Sequence, residues 1–257
     1  MNVTPTFARR LDELSAASDR VWIVGMTTGL ALTVLAAYAP LPPMGGTALA
    51  YLSLMIRASL YLWAGSALEA RGGAVLARIF QLGVVAGLFE LVVDWWLVNG
   101  VSNGRLDYLG KPDVVLLASP IWMPLAWACV VVELGYPAVR LFGLLRSRLG
   151  ARGAALLASA SIAISAGVTV GIYEVLAARA GWWRYSPAHA MIGPSCALFI
   201  PVGEMLMFLA ILPVAARTLS REDRPVASAI VSGAIFAAAI FGGYALAYLL
   251  LELGRVP

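Results

Sequence analysis

An all-α, polytopic membrane bundle of seven transmembrane helices with an internal two-hairpin repeat is the fold this sequence predicts. Three observations carry the prediction. Of 257 residues, 61% are hydrophobic and 12% charged, with a mean hydropathy of +0.86; soluble domains carry about 25% charged residues, and so little charge cannot cover a water-facing surface. Apolar stretches long enough to cross roughly 30 Å of hydrocarbon, about 20 residues each, recur seven times. The arginines gather at alternate ends of those stretches.

The stretches fall near 21–41, 47–68, 76–99, 114–139, 153–181, 190–215 and 225–251, within a single domain spanning 1–257. The first twenty residues hold Arg9, Arg10, Asp12, Glu13, Asp19 and Arg20, which reads as an amphipathic or frayed arm and not as a signal peptide with an apolar core and small-residue cleavage site. Pro40, Pro42, Pro43 and Gly45-Gly46 mark a turn between the first two stretches. With the N-terminus inside, twelve arginines (9, 10, 20, 71, 78, 140, 146, 148, 152, 217, 221, 224) lie inside. Five basic residues (Arg105, Lys111, Arg179, Arg184, Arg255) lie outside. This positive-inside bias predicts a cytoplasmic N-terminus and an outer C-terminus in a bacterial-type cell membrane. The net charge of +4 follows from that basic rim beside membrane lipid, and nucleic acid is not an expected partner.

Two segments match each other. Gly87-Leu88-Phe89-Glu90-Leu91-Val92 pairs with Gly171-Ile172-Tyr173-Glu174-Val175-Leu176. Ile121-Trp122-Met123-Pro124-Leu125-Ala126-Trp127 pairs with Leu198-Phe199-Ile200-Pro201-Val202-Gly203-Glu204. Pro137 with Arg140 and Pro213 with Arg217 end the two copies. Repeats over approximately 76–140 and 160–217 follow, and membrane proteins often place sites between such units.

Ionisable side chains inside a span cost at least about 2.5–3.5 kcal/mol each and usually face a cavity or one another. Here they are Arg57, Glu90, Asp94, Glu133, Glu174 and Glu204. Glu90 and Glu174 come about two-thirds of the way across, Glu204 and Arg57 near mid-membrane, and Glu133 nearer the cytoplasm and Arg140. Glu90 and Asp94 are one turn apart on one helix face. Asp94 and Arg57 read either as a charge-compensating pair or as groups that tune a site. Trp95, Trp96, Trp182, Trp183 and Tyr185 fit an outer interfacial belt. Trp122, Trp127, Phe199 and Phe208 lie deeper, where core packing competes with a binding role. Gly25-x-x-x-Gly29 and Gly167-x-x-x-Gly171 allow close helix packing.

Several chemistries lose their parts. A single histidine, His189, cannot build a histidine metal cluster or supply both axial ligands of a haem. The sole lysine, Lys111, lies in a polar loop and cannot form a retinal Schiff base within a helix. Cys129 and Cys196 sit in apolar runs, as small buried residues do. No Gly-x-Gly-x-x-Gly or Walker loop is present, and no cofactor or metal is expected. What remains is carboxyl groups, aromatic rings and proline-broken helices. A carboxyl group buried in an apolar setting favours its protonated form and can act as a Brønsted acid. A second carboxylate can take a proton back, and aromatic faces stabilise cations. These are parts for proton-initiated carbocation chemistry on a lipophilic olefin or epoxide entering from the bilayer.

The run Tyr173-Glu174, then Gly181-Trp182-Trp183-Arg184-Tyr185, then Phe199-Ile200-Pro201-Val202-Gly203-Glu204 with Phe208 resembles the membrane lycopene cyclase domain family and, less closely, the small transmembrane cyclases of meroterpenoid epoxides. That family has an upstream acidic residue, a Gly-x-Trp-x-aromatic stretch and a Pro-x-Glu-Glu motif, on two homologous helical units. The resemblance implies an isoprenoid or terpenoid cyclase with Glu204 as acid and Glu174 as the upstream carboxyl. Gly203 replaces the first motif glutamate, and Pro124-Leu125-Ala126-Trp127 lacks both, which points to an isoprenoid other than lycopene. Glu204, Glu174, Glu90 and Asp94 are thus the expected catalytic residues; Arg57, Trp122, Trp127, Tyr173 and Phe199 are expected to hold substrate. Two rival readings remain: a proton- or cation-coupled carrier, and a non-catalytic membrane subunit of a lipid-pathway complex.

Overall fold

The computed structural model describes residues 3–42, 44–109 and 113–253; Pro43, Lys111 and Arg255, which entered the reading of turn and topology, lie outside them. The arm is ordered. Thr4 caps helix α1 (Pro5–Asp12) by accepting a hydrogen bond from Phe7 N at 3.2 Å, with Pro5 at the first helical position. Phe7 and Leu11 are buried, and Phe7 stacks on Phe142 at 5.8 Å. Arg10 pairs with Glu13 at 2.6 Å and with Glu222 at 2.7 Å, and Arg9 reaches the same Glu222. Burial acts the other way, but the charges of Arg10 and Arg9 hold the Glu222 carboxyl below its usual range.

Helix α2 (Ala16–Tyr38) starts five residues before the expected span, because Ser18 Oγ accepts from Ser15 N at 3.1 Å and fixes the first turn. Asp19 in that turn takes Arg140 at 3.0 Å and the Tyr136 hydroxyl at 2.7 Å. Helix α3 (Gly45–Ala67) returns alongside α2. A short 3₁₀ turn (Glu69–Arg71) then leads to Gly72, whose φ of 85° suits glycine. Helix α4 (Gly73–Asn99) is the central element, packed on α3 and on the helices that follow. Gly83 and Gly87 let a neighbouring helix come close: a Cβ on them would lie 2.7 Å from Ala128 Cα and 2.6 Å from Pro124 O.

The fourth and fifth expected stretches form one hydrogen-bonded run, α5 (Met123–Arg179), of 57 residues. At 1.5 Å per residue a straight rod would reach roughly 85 Å. It does not stay straight. Gly150 has φ 67° and ψ 168°, and Trp122 and Trp182, just beyond the two ends, have ring centroids 6.2 Å apart. The run therefore folds back into two antiparallel limbs. Helices α6 (Phe199–Phe208) and α7 (Ile211–Leu219) continue one path, and α8 (Pro225–Tyr248) ends in a π-helical turn (Leu249–Leu253).

The expected spans at 114–139 and 190–215 begin too early. Their first residues form small antiparallel pairs: β2 (Val115–Leu116) with β3 (Ser119–Pro120), and β5 (Met191–Ile192) with β6 (Cys196–Ala197). Between them, β1 (Leu106–Tyr108) pairs with β4 (Trp183–Tyr185) in the register Leu106↔Tyr185, Asp107↔Arg184 and Tyr108↔Trp183. The loops after α4 and after the second limb thus join over one end of the bundle as a cap. Six helical segments among the described residues are long and apolar enough to cross a membrane, with α5 as one and α6–α7 as another. Large apolar side chains such as Ile23, Leu88, Val92, Leu156, Ile164 and Ile172 stay exposed on their outward faces, as lipid-facing surfaces require.

Candidate functional site

Beneath the cap lies a cavity with about 1100 Å³ of empty space, mouth included. Its wall comes from α2 and α3 on one side and from α4, both limbs of α5, α6 and α8 on the other. Asp94, Glu174 and Glu204 all line it, together with Arg57 and Glu133.

Each of the three carboxyl groups near the cap is held by a different neutral donor. Asp94, on the fifth residue before the end of α4, accepts from the Tyr108 hydroxyl and from Ser119 Oγ at 2.6 Å. Both donors belong to cap strands, so β1 and β3 reach down to α4. Glu174 accepts from Trp183 Nε1 on β4, and Tyr185 is buried beside it. Glu204 accepts through Oε1 from the Tyr244 hydroxyl of α8, and its Oε2 has no partner among the described residues. None of the three is in an ion pair among the described residues, although Glu204 is 2% exposed, Asp94 4% and Glu174 7%. Burial, reinforced by Asp94, pushes the Tyr108 phenol well above its usual value; burial and then Glu174 do the same for Tyr185. Both phenols therefore remain neutral donors.

The local sequence makes these placements. Pro201 stands in the first turn of α6, where a missing N–H costs nothing, and Glu204 follows one turn on. Gly203 has no side chain because Tyr244 occupies that space: a Cβ there would lie 2.4 Å from the Tyr244 ring. Tyr244, delivered from α8, thus stands where a side chain at 203 would be.

Arg57 does not pair with Asp94. It forms a buried ion pair with Glu133, on the first limb of α5, and its Nε donates to the Ser53 carbonyl at 3.4 Å. The sequence placed Glu133 by Arg140, but Arg140 is taken by Asp19 and Glu133 turns inward. Trp122, Trp127 and Tyr173 line the cavity. Phe199 does not: it is fully buried at the root of the cap, 5.2 Å from Tyr248 and against Gly104. Glu90 is buried with both carboxylate oxygens unpartnered among the described residues, one turn behind Asp94 and outside the cavity lining.

Trp182, Trp183 and Tyr185, read as an interfacial belt, instead form the cavity roof. Trp122, Trp182 and Trp183 make a mutual cluster with centroids 6.0–6.2 Å apart. Sequence reasoning also passed over Tyr108, Ser119 and Tyr244; only Gly203 beside Glu204 hinted at the last. Among the described residues no group of three or more His, Cys, Asp or Glu side chains is placed to hold a metal ion.

No curated protein matches the chain, and no solved structure does. A family model covers residues 91–251, from within α4 through α8. That range holds Asp94, Glu133, Glu174, Glu204 and Tyr244 and leaves out Glu90 and Arg57. The match spans more than half of the sequence, and the chain belongs to the family described as a domain of unknown function, DUF6989.

Proposed function

We propose that this is an integral membrane enzyme of the isoprenoid or terpenoid cyclase type, closing rings on a lipophilic olefin or epoxide by proton-initiated chemistry. One observation carries the reading: Glu204, buried with no cation and with one oxygen unpartnered among the described residues, lines an aromatic-walled cavity together with Asp94 and Glu174, which are in no ion pair among those residues either. In this reading the two limbs of α5 are separate spans, which makes seven. The hairpins α4–first limb and second limb–α6 are the repeat, each with a strand, a strand pair and a helix opening on Pro124 or Pro201 in the same order. The resemblance to the membrane lycopene cyclase domains supports the same conclusion. The arginine asymmetry supports a cytoplasmic N-terminus with the cap on the outer side.

The chemistry balances without a co-reactant. The Glu204 carboxyl donates its proton to a terminal olefin carbon or an epoxide oxygen. A neighbouring double bond attacks the resulting cation and closes the ring, and Trp122, Trp127, Trp182 and Trp183 face the positive charge. Glu174 or Asp94, as carboxylate, takes the proton released from the adjacent carbon, with Glu90 one turn behind Asp94. Return of that proton to Glu204 restores the site. The net reaction is an isomerisation.

The test is product analysis of membranes carrying the wild-type chain or Glu204→Gln, fed linear carotenoids, polyprenyl aromatics and their epoxides. A cyclised product that disappears in the variant, with the variant still folded in the membrane, supports the reading. No conversion of any substrate by the wild-type chain removes it in favour of a carrier or a non-catalytic subunit.

A further inference from the structure

The cavity has a second polar zone that the acid chemistry leaves unused. Asp94, Glu174 and Glu204 each sit five residues from the capped end of their helix (94 to 99, 174 to 179, 199 to 204), roughly 7–8 Å along the axis. Glu133 is ten residues from Met123 and Arg57 twelve from Gly45, roughly 15 and 18 Å deep. The ion-paired residues therefore stand about 8–10 Å of helix rise further from the capped ends than the three carboxyl residues, and form the floor of the cavity.

Ser53 and Tyr173 also line the cavity, and their hydroxyls have no partner among the described residues. Tyr173 starts closer to the cap, but helical side chains lean toward the N-terminus of their helix, which on this limb is the deep direction. Among the described residues Arg57 uses Nε and Nη1 and keeps Nη2 for a guest. Buried hydroxyls are rarely left unpaired, and a guest oxygen would satisfy them. The floor carries no net charge, since Glu133 offsets Arg57. A carboxylate or phosphate would face Glu133 as closely as Arg57, whereas a neutral oxygen accepts from Arg57 or Tyr173 without repulsion.

We propose that this floor binds an uncharged hydroxyl or carbonyl head group of an amphipathic isoprenoid, whose hydrocarbon end reaches the capped carboxyl groups. The proposal rests on the enzymatic reading of the cavity and names its substrate class.

Binding of tritiated farnesol to the purified full-length chain in detergent tests it, with competition by unlabelled farnesol, farnesoic acid and farnesene. Farnesol is expected to compete at about tenfold lower concentration than either the acid or the hydrocarbon. Tyr173→Phe with Ser53→Ala removes only the two unpartnered hydroxyls, so the fold loses no hydrogen bond. It should weaken farnesol about tenfold and leave farnesene unchanged. Equal competition by farnesene, tighter binding of the acid, or undiminished farnesol binding in the double variant overturns the proposal. Glu204→Gln separates the two readings: it should keep the preference for farnesol while losing turnover. A wild-type chain that selects farnesol yet converts no substrate removes the enzyme and leaves the head-group site standing.

Discussion

The two hairpins that flank Gly150 share an architecture and differ in chemistry. In each, a helix with a glutamate late in its course (Glu90, Glu174) leads to a cap strand bearing a tyrosine (Tyr108, Tyr185), then to a strand pair and a returning helix. In each, glycines on the outgoing helix admit the returning one: Gly83 and Gly87 meet Ala128 and Pro124, and Gly167 and Gly171 meet Met205 and Pro201. The difference comes two and three residues after the prolines of the returning helices, Pro124 and Pro201. The first hairpin has Ala126-Trp127 and the second Gly203-Glu204. On the second, α8 packs over the glycine and lends Tyr244 to the glutamate. On the first, Glu90 has no hydrogen-bond partner among the described residues, while Asp94, one turn later, takes the hydrogen bonds from the cap. At this matched position the same frame presents an indole ring from the first half and a carboxyl group from the second, and the asymmetry arises from what lies beside each copy.

Glu204→Gln is the substitution expected to separate the halves most. Loss of a general acid removes on the order of 10²–10⁴ in rate, and Trp127→Phe at the matching position should change turnover by less than about tenfold while keeping an aromatic wall. Comparable losses from both would end the idea that the second hairpin alone supplies the proton.

Next comes the contrast between unpaired carboxyl groups at the cap and the ion pair at the floor. Arg57→Met strands Glu133 in the interior and should destabilise the chain by about 3–5 kcal/mol; adding Glu133→Leu should recover most of that. Unfolding in detergent reads both. A double variant no more stable than the single one would show that the pair contributes through its hydrogen bonds and not as compensated charge.

A smaller effect is expected from Gly203→Ala. The added methyl group meets the Tyr244 ring, and overpacking of this kind costs about 1–3 kcal/mol. Activity should fall with it, because the ring that moves is the one bonded to Glu204. Adding Tyr244→Ala should relieve the clash and restore stability without restoring full turnover.

The smallest concerns α1. Glu222 is held below the ordinary carboxyl value of about 4.5 by the arginines of the arm. Its contribution is therefore present above that value and lost as pH falls through the lower folded value. Partly exposed pairs of this kind contribute less than about 1 kcal/mol. Hydrogen exchange of α1 should accelerate under acid before that of α4 does; simultaneous loosening of both would deny the latch a separate role.

The helical course of this molecule was legible because bilayer-length apolar runs report themselves, and α2, α3, α4 and α8 fall within a few residues of the expected spans. The cap was not. Its strands are two or three residues long, and β1 finds β4 across 79 positions (106 to 185), a pairing that leaves no periodic trace. For the same reason Trp182 and Trp183 read as a belt: tryptophan at a span end has an interfacial default, and only the strand pairing turns these two inward. From sequence Glu133 is deeper than Glu174, but Glu204 falls at mid-membrane, whereas α6 begins only at Phe199 and Glu204 stands as near the capped end of its helix as Asp94 and Glu174 do. The partner of Arg57 could not be read from sequence, since Asp94 and Glu133 differ in rotation about their helix axes as well as in depth. Tyr244 stayed hidden because it comes from outside both hairpins.

Gly150 has a backbone geometry that suits glycine, and a Cβ placed there would meet nothing within 4 Å. The reversal between the limbs therefore turns on backbone dihedral angles that glycine adopts freely, with open space where a side chain would stand. Each side of it carries one strand of the β1–β4 pair. A chain severed at this bend would give two pieces, each holding one edge of the lid, and the natural joint for a split reporter or an inserted tag is already marked in the covalent structure.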